Sequence, residues 1–383
     1  MRIPLASPDI TDADVDAVTA VLRSGSLSLG ERLPAFERAF AARAGTAHGV
    51  AVSSGTAGLH LAVRACGIGA GDQVITTPFS FIASTNAILY ERAVPVFVDI
   101  DPVSLNIDPE RIEAVITPRT RAILVVHVFG RPADMRPIMV IAARHGLAVI
   151  EDACEALGAE VDGRPVGSLG ICGVYGFYPN KQITTGEGGM IVTGNGEVAA
   201  ECRSLRNHGR DGDAGPVEHA RLGYNYRLSE LACALGLAQM GRLDAILTGR
   251  RSVAERYDRR LAGQPDLTRP ALEVLGGRPS WFAYVVRLAP GFSRADRDGI
   301  VTQLRERGIG CGRYFDAIHL HAHVQQAVAH RRGDFPVAEA ASDRTLALPF
   351  FAQITDGQLD EVCDALIDLV SRRRRSSTTD PQG

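Results

Sequence analysis

The sequence predicts an α/β protein with a mainly parallel sheet in a large first domain, followed by a smaller α+β domain. Short apolar runs alternate with helical segments through the first half of the 383 residues. This alternation is typical of parallel strands that are covered by helices on both faces. Residues 228–263 read as two long helices or one bent helix that leads to a second domain. After about residue 264, proline and glycine breaks surround the apolar runs, which indicates a different architecture.

The first elements are predicted helices. Residues 11–25 have apolar side chains at helical spacing after a Thr/Asp start, and residues 32–45 repeat that pattern. A third helix, over residues 56–67, begins just after the sequence Ser-Ser-Gly. Apolar runs and helical segments then alternate, with predicted strands at 73–77, 94–100, 121–130, 147–153 and 173–179 and predicted helices at 83–91, 109–116 and 133–146.

The smaller domain is predicted from a strand at 281–289, a helix at 295–309 and a last amphipathic helix at 355–373. We expect the N-terminal segment of the large domain to pack on this smaller domain. The end of the chain is polar and carries consecutive arginines, a composition typical of disordered, solvated segments. The expected boundaries are 1–245 for the large domain, 246–372 for the small domain and 373–383 for a disordered tail.

Composition and charge exclude several classes of protein. The net charge of −3 is close to neutral for this length, so a clustered positive field for binding nucleic acid is not expected. No stretch of 18 apolar residues occurs, which argues against a membrane span, and the N-terminus lacks the apolar core of a secretory leader. The seven cysteines are scattered without a C-x-x-C pair, which indicates reduced thiols and a cytoplasmic protein.

Only one of the 41 basic residues that are lysine or arginine is a lysine, and it is Lys181. Arginine replaces lysine readily on a solvated surface, but its guanidinium does not lose a proton and cannot act as an amine nucleophile. A single retained lysine is therefore a candidate for amine chemistry. The alternative is that one surface lysine persisted by chance, so the neighbouring motifs have to decide between the two.

Residues 52–62 place Ser54, Gly55 and Thr56 directly at the start of a predicted helix. The free N–H groups and the dipole at a helix N-terminus attract anions, and the Ser and Thr hydroxyls add hydrogen-bond donors. A phosphate group would be bound well there. An ordinary helix cap has the same composition, so this motif alone leaves both interpretations open.

Two further segments supply an acid and an amine. Asp152 ends the apolar run 147–153, and ligands of open parallel sheets bind beyond the carboxyl ends of the strands. Asp152 could equally cap the following helix. Lys181 follows the apolar run 173–179 and precedes the small-residue turn Gly-Glu-Gly-Gly. A phosphate site, a strand-end aspartate and a lysine together are what pyridoxal 5'-phosphate requires, because they bind its phosphate, its ring nitrogen and its aldehyde.

The chain resembles the DegT–DnrJ–StrS family of sugar aminotransferases, which have the aspartate-aminotransferase-like fold (fold type I) with a seven-stranded-type sheet. The resemblance runs from about residue 5 to 245 and more loosely to about 370. Among the motifs that carry it are SSGTAGLHLA, VIEDACEALGA, FYPNKQITTGEGGM, LRNHGR and GYNYRLSELACALGLAQM. The resemblance implies that Lys181 forms a Schiff base with pyridoxal phosphate and that Asp152 pairs with the pyridine nitrogen. It also implies that Phe81 stacks on the ring.

The resemblance also implies a homodimer with shared active sites. Asn225 lies where the family reaches the phosphate from the neighbouring subunit, and Arg227 in the same motif is expected to support that site. Two positions depart from the family pattern. Gly176 replaces a serine that contacts the phosphate in many relatives, and Glu155 replaces Gln or His near the phenolic oxygen of the ring. A carboxylate there would repel that oxygen unless it were protonated or turned away.

The implied reaction is a ping-pong transfer of an amino group from L-glutamate to a keto sugar, most often one linked to a nucleotide. An aminocyclitol aminotransferase and a non-catalytic, cofactor-binding regulator are the alternatives. Family members that act as sugar dehydratases carry His in place of the Schiff-base lysine, so Lys181 argues against that activity. The glycine-rich residues 67–72 precede a strand instead of following one, which argues against a nicotinamide site.

The sequence IHLHAH places three histidines at alternating positions, 319, 321 and 323. A metal site would need a further carboxylate or cysteine nearby, and none is close in sequence, so no metal is predicted. His319 matches a position near the family's sugar pocket and is a candidate substrate contact. Arg313 and Tyr314, just before it, are candidates for the same pocket.

Overall fold

The computed structural model describes residues 1–211, 218–274 and 276–378 of the chain. Two of its α-helices precede the first strand, several others alternate with strands, and a long helix comes last. Their bounds are α1 (Asp12–Ser24), α2 (Arg32–Ala44), α3 (Gly55–Ala65), α4 (Ala83–Tyr90), α5 (Met135–His145), α6 (Gly196–Arg206), α7 (Glu230–Met240), α8 (Leu243–Arg260), α9 (Arg294–Glu306), α10 (Ala322–Ala327), α11 (Pro336–Arg344) and α12 (Asp356–Thr378).

The strands form one large sheet and two small ones. Their bounds are β1 (His48–Val52), β2 (Gln73–Thr76), β3 (Val94–Phe97), β4 (Thr120–Val126), β5 (Ala148–Asp152), β6 (Glu160–Val161), β7 (Arg164–Pro165), β8 (Cys172–Gly176), β9 (Gly189–Thr193), β10 (Leu267–Thr268), β11 (Gly277–Arg278), β12 (Tyr284–Leu288) and β13 (Thr345–Leu348). The large sheet has seven strands in the order β1-β9-β8-β5-β4-β2-β3. Strand β9 is antiparallel to both of its neighbours, and the other pairs are parallel.

The mainly parallel, seven-stranded α/β fold that the sequence predicts is confirmed. Strand β4 shows why its apolar run is continuous. Ala122, Leu124 and Val126 belong to the apolar core on one face of the sheet, whereas Ile123 and Val125 belong to the core on the other face. A strand that is buried on both faces needs apolar side chains at every position.

Two predicted elements differ from those observed. Residues 109–116 form two short 3₁₀ helices, Pro109–Arg111 and Glu113–Val115, where one α-helix was predicted. Pro118 follows closely, and a proline restricts the residue before it to extended backbone, so the segment is too short for an α-helix. The predicted strand 173–179 ends at Gly176, and the residues after it form the turn that carries Lys181.

The last third of the chain builds a second core around the sheet β10-β12-β13. The N-terminal segment packs on this part, because Ile3 forms a bridge with Ile309 and Leu5 O accepts a hydrogen bond from Phe350 N. Helix α12 continues to Thr378, so the structure corrects the predicted start of a disordered tail at residue 373. Residues 379–383 of that tail lie outside the described residues.

Within the described ranges, no single helix is both long enough and apolar enough to cross a membrane. Helices α7 and α8 reach that length and composition only as a pair, and the pair is bent by 67° at its break. The bend resolves the two readings of residues 228–263 in favour of two helices.

Candidate active site

A cavity of about 330 Å³ opens at the carboxyl ends of three neighbouring parallel strands. Val126 of β4, Asp152 of β5 and Gly176 of β8 are the strand-end residues in its lining. The cavity brings together predicted residues that are distant in sequence, which are Ser54, Gly55, Thr56, Phe81, Asp152, Glu155, Lys181 and Tyr314. Its position agrees with the general rule that ligands of open parallel sheets bind beyond the carboxyl ends of the strands.

The N-terminus of α3 forms one wall of the cavity. Ser54 is the N-cap, and its Oγ accepts a 3.0 Å hydrogen bond from Ala57 N. The first N–H groups of the helix have no partner within it, so they remain available to an anion. At Gly55 a Cβ would lie 2.9 Å from Cys154 Sγ. A glycine is therefore required for the helix to start this close to the strand ends.

Asp152 is buried at the end of β5 with its carboxylate held by two donors. Oδ2 accepts a 2.7 Å hydrogen bond from Ser84 Oγ, and Oδ1 accepts a 3.1 Å hydrogen bond from Cys154 N. Both bonds fix the direction of the carboxylate. A buried carboxylate of this kind is a suitable acceptor for the N–H of a protonated pyridine ring. Ser84 was not predicted, and its spacing of three residues after Phe81 gave no signal of its role.

Lys181 lies in the turn after β8, where its backbone N–H donates a 2.9 Å hydrogen bond to Tyr178 O. Its side chain is 15% exposed, and its Nζ is 3.7 Å from Glu155 Oε1. The same Nζ lies 4.1 Å from the centre of the Phe282 ring. The amine therefore faces the cavity from a partly buried position, between a carboxylate and an aromatic face.

Glu155 is turned toward Lys181 and toward the backbone of Phe129, whose N–H donates a 2.8 Å hydrogen bond to Oε2. Burial raises the pKa of this carboxyl group, and the nearby Lys181 ammonium opposes part of that increase. Glu155 Oε2 thus has a backbone donor and Oε1 lies at ion-pair distance from Lys181, so the carboxylate is turned toward other protein groups.

Aromatic rings form the outer part of the cavity. The Tyr314 ring is stacked on Phe315, with centroids 5.0 Å apart, and on Phe282 at 6.1 Å. Burial raises the pKa of the Tyr314 hydroxyl. Phe81 is 58% exposed, and its ring is tilted at 6.3 Å from Phe315. Phe282 and Phe315 are site residues that the sequence reasoning missed. Their signal was the aromatic cluster in the predicted strand 281–289 and the aromatic next to Tyr314.

Four predicted residues lie outside the cavity lining, and three of them, Asn225, Arg227 and Arg313, are at or near the surface. Asn225 is exposed and forms a backbone bridge with Asn207, to whose Oδ1 Arg227 Nη1 donates a 2.9 Å hydrogen bond. Asn225 is thus at the surface of the chain and Arg227 is half-buried, and neither lines the cavity. Arg313 is also exposed, and its Nη1 lies 3.7 Å from Asp298 Oδ2. The structure thus does not place Arg313 beside Tyr314 in the pocket, because adjacent side chains point in different directions.

His319 is fully buried, and its Nε2 is 3.0 Å from Glu339 Oε1. The structure corrects the prediction that it contacts substrate, since a core histidine paired with a buried glutamate does not reach the cavity. Burial lowers the pKa of His319, against the opposing effect of Glu339. Among the described residues, no group of three or more His, Cys, Asp or Glu side chains could hold a metal ion.

Over nearly its whole length the chain is similar to several named proteins. It is 40% identical over 373 residues to the GDP-perosamine synthase of Caulobacter vibrioides, which is 95% of this chain and 97% of that protein. It is 38% identical over 378 residues to the spore coat polysaccharide biosynthesis protein SpsC of Bacillus subtilis, with 96% and 97% covered. The X-ray structure of S. venezuelae DesV in complex with a ketimine intermediate matches with a TM-score of 0.88 and 36% identity, covering 97% of this chain and 99% of that one.

The fold and the cavity define a pyridoxal-phosphate-dependent transaminase of fold type I. A helix N-terminus for phosphate, a buried aspartate for the ring nitrogen and a cavity-facing lysine amine all fit that cofactor. The chain belongs to the DegT/DnrJ/EryC1/StrS aminotransferase family, whose model matches residues 8–367. The family predicted from the sequence motifs is therefore confirmed.

Proposed function

We propose that this transaminase moves an amino group from L-glutamate to a keto sugar linked to a nucleotide, in two half-reactions that share one site. The observation that carries the amino transfer is the convergence of Lys181, Asp152 and the N-terminus of α3 on one cavity. The support for a sugar acceptor is the similarity to a GDP-perosamine synthase and to a spore coat polysaccharide biosynthesis protein over nearly the full length of each.

Pyridoxal phosphate, when bound, supplies the carbonyl carbon that exchanges the amine and a ring that accepts electrons. The first N–H groups of α3 and the Thr56 side chain would hold the phosphate. The Asp152 carboxylate, directed by Ser84 and Cys154 N, would accept a hydrogen bond from the ring N–H. The Lys181 amine would hold the cofactor through its aldehyde group and, once free, would move a proton to and from the reacting carbon of the substrate.

We infer that two copies of the chain share their active sites. Asn225 and Arg227 are outside the cavity of their own chain. Tyr226, which lies between them, accepts a hydrogen bond at its carbonyl oxygen from Ser53 N, just before the N-terminus of α3. This backbone contact ties the position of the segment to the cavity wall. A second copy would supply Asn225 as an additional donor to the phosphate, which compensates for the hydroxyl that is missing at Gly176.

The test is to incubate the purified protein with pyridoxal phosphate, L-glutamate and a GDP-linked keto-deoxy sugar. We expect 2-oxoglutarate and a GDP-linked amino sugar in equal amounts, measured by mass spectrometry. UDP- and dTDP-linked keto sugars and a keto cyclitol complete the panel. Amination of the cyclitol alone would contradict the nucleotide-sugar assignment, and no amination of any acceptor by a protein that has bound the cofactor would favour a regulator.

A further inference from the structure

We propose that His60 is a positioning residue for the shared active sites, because it holds the segment that presents Asn225 to the phosphate site of the partner subunit. The inference rests on the proposed sharing of Asn225 between two copies of the chain, and it deepens that proposal by naming the side chain that fixes the segment. His60 lies on α3, whose N-terminus forms the phosphate wall of its own chain. One helix thus supports both phosphate sites of the dimer.

The imidazole of His60 is buried, and both of its nitrogens have partners. Nε2 is 2.8 Å from Glu91 Oε1, and Nδ1 is 3.3 Å from the hydroxyl oxygen of Tyr226. A carboxylate accepts hydrogen bonds, so Nε2 carries a proton, and in the neutral ring Nδ1 then accepts the bond from the Tyr226 hydroxyl. Glu91 is held in turn by Arg64, whose Nη1 lies 3.0 Å from Oε2. The imidazole therefore has a fixed direction toward Tyr226.

The two tyrosines on either side of Asn225 both face His60. The Tyr224 ring lies edge-on to the imidazole with centroids 4.8 Å apart, and the Tyr226 ring is stacked on the Tyr224 ring at 4.9 Å. Asn225 forms a β-bridge with Asn207, so the backbone is extended there, and successive side chains of an extended chain point to opposite sides. The Asn225 side chain therefore points away from His60, and Asn225 is exposed. The packing of the tyrosines on α3 thus directs Asn225 outward from its own chain.

Backbone hydrogen bonds hold the same segment, and the His60 contact adds to them. The N–H of Tyr226 donates a 2.9 Å bond to Arg206 O at the end of α6, and the Tyr226 carbonyl accepts a 2.8 Å bond from Ser53 N. The bond between the Tyr226 hydroxyl and His60 is a third tie, which joins the segment to the middle of α3. A donor that is already positioned binds its ligand more tightly, because less conformational freedom is lost on binding. The His60 contact therefore strengthens the binding of a phosphate by Asn225.

The experiment distinguishes the two sites of a dimer by leaving Lys181 in only one of them. Lys181 is the only lysine of the chain, so borohydride reduction with pyridoxal phosphate attaches the cofactor to a lysine only at the site that keeps it. Mixed dimers with a Lys181→Ala chain are isolated through two different affinity tags. In the first mixed dimer Tyr226→Phe is on the chain that keeps Lys181, and in the second it is on the Lys181→Ala chain. Only in the second does the labelled site receive Asn225 from a chain that lacks the Tyr226 hydroxyl.

The quantity measured is the pyridoxal phosphate concentration that gives half-maximal labelling of Lys181, followed by peptide mass spectrometry. The reference is a mixed dimer of a wild-type chain and a Lys181→Ala chain. We expect the reference value in the first mixed dimer and a value about two- to tenfold higher in the second, from the loss of one positioning hydrogen bond. Equal values in all three dimers overturn the proposal. An increase in the first mixed dimer alone, or an equal increase in both, also overturns it.

Two further substitutions are placed in the same two arrangements. His60→Phe keeps a ring without nitrogens and should raise the value in the second mixed dimer at least as much as Tyr226→Phe does. If His60→Phe does not fold, Tyr226→Phe carries the test, because it removes a single hydroxyl. Tyr224→Phe is the matched control, since it removes a hydroxyl from the same segment while both nitrogens of His60 keep their partners. It should give the reference value in both arrangements, and an increase equal to that of Tyr226→Phe would contradict a specific role of His60.

Asn225→Ala in the same two arrangements distinguishes this proposal from the one on which it rests. An increase in the second mixed dimer with Asn225→Ala, and none with Tyr226→Phe, removes the role of His60 and leaves the sharing of the active sites intact. An increase in the first mixed dimer with Asn225→Ala places Asn225 in the site of its own chain, and both proposals then fail.

Discussion

Ser84 Oγ donates a 2.7 Å hydrogen bond to Oδ2 of Asp152, so a helix next to the sheet directs the carboxylate at the bottom of the cavity. Ser84→Ala removes this hydrogen-bond donor, so the buried Oδ2 of Asp152 loses the hydrogen bond from the Ser84 hydroxyl. We expect kcat/KM to fall about ten- to hundredfold, because a hydrogen bond to a buried charged group is lost. Steady-state kinetics measure this change. Ser80→Ala is the control, since Ser80 is also buried and contacts Ser84 but not Asp152; similar losses in both variants would contradict the prediction.

Lys181→Arg keeps a positive charge in the cavity but cannot form a Schiff base, because a guanidinium does not lose its proton. We expect no borohydride-stable cofactor adduct and a fall in kcat of about a thousandfold or more. Absorption spectra and peptide mass spectrometry report the adduct. Arg313→Ala changes a residue outside the cavity, so its activity should match the wild type. An adduct on Lys181→Arg would refute the assignment.

Gly55 at the start of α3 and Gly176 at the end of β8 should respond to substitution in opposite ways. A Cβ at Gly55 meets Cys154 Sγ at 2.9 Å and Gly176 Cα at 3.3 Å, so Gly55→Ala displaces the start of α3. We expect its affinity for pyridoxal phosphate to fall about tenfold, as measured by fluorescence titration. A Cβ at Gly176 has ordinary contacts of 3.5 Å with Cys154. Gly176→Ser should fold normally and bind the cofactor about two- to tenfold more tightly, and weaker binding would show that this hydroxyl does not reach the phosphate.

Subunit mixing tests whether Asn225 acts on the partner's cavity. Asn225→Ala and Lys181→Ala should each be poorly active as homodimers. In a mixed dimer, one site combines the intact Lys181 of one chain with the intact Asn225 of the other, and the second site carries both defects. We therefore expect activity to recover after the two variants are denatured and refolded together. No recovery, with mixed dimers demonstrated by differently tagged chains, would place Asn225 in its own chain's site.

Asp14 provides a prediction about stability and pH. Its Oδ2 accepts hydrogen bonds from Thr11, Gln239 and Arg242, which join α1 to α7 and α8. Burial favours a higher pKa for Asp14. The hydrogen bonds with Thr11 and Arg242 and the positive charge of Arg242 have a larger opposite effect, so the pKa of Asp14 lies below its ordinary value. The stabilisation is therefore present above the unfolded-state pKa and is lost as the pH falls through the lower folded-state value.

We expect Asp14→Asn to reduce the free energy of unfolding by about 1–3 kcal/mol at pH 7. The difference from the wild type should shrink in acid, where Asp14 is protonated in both states. Urea titrations at pH 7 and near the acid limit of folding measure this. Asp12→Asn, on the same helix turn, is the control with little expected change. A difference that persists unchanged in acid would show that charge is not its origin.

The sequence predicted the fold best where one rule determined the local structure. Gly45 in a left-handed conformation ends α2 one residue past its last helical position, as the pattern indicated. Strand β4 was identified by an apolar run that is buried on both faces. The segment after Asp108 was predicted less well, because helical spacing over eight residues does not distinguish an α-helix from successive 3₁₀ turns when a proline follows.

The candidate site was predicted where function requires an unusual residue, and less well where packing decides. Lys181 and Asp152 were found from residue type and position at a strand end. The orientation of His319 could not be predicted, because three alternating histidines look alike in the sequence. The sequence does not show which of them is buried and paired with Glu339. The contact between Phe282 and Lys181 is a tertiary contact between residues that are far apart in the sequence. The local sequence around either residue therefore does not indicate it.

The bridge between Ile3 and Ile309, and the bond from Phe350 N to Leu5 O, have a consequence for biosynthesis. A ribosome adds roughly 5–20 residues per second. Ile3 and Leu5 leave the ribosome long before Ile309 and Phe350 are made, so they wait for tens of seconds without their partners. During that interval the apolar side chains of Ile3 and Leu5 are available to chaperones. Ile3 and Leu5 therefore reach their native positions only after a segment that lies more than 300 residues later in the chain has been made.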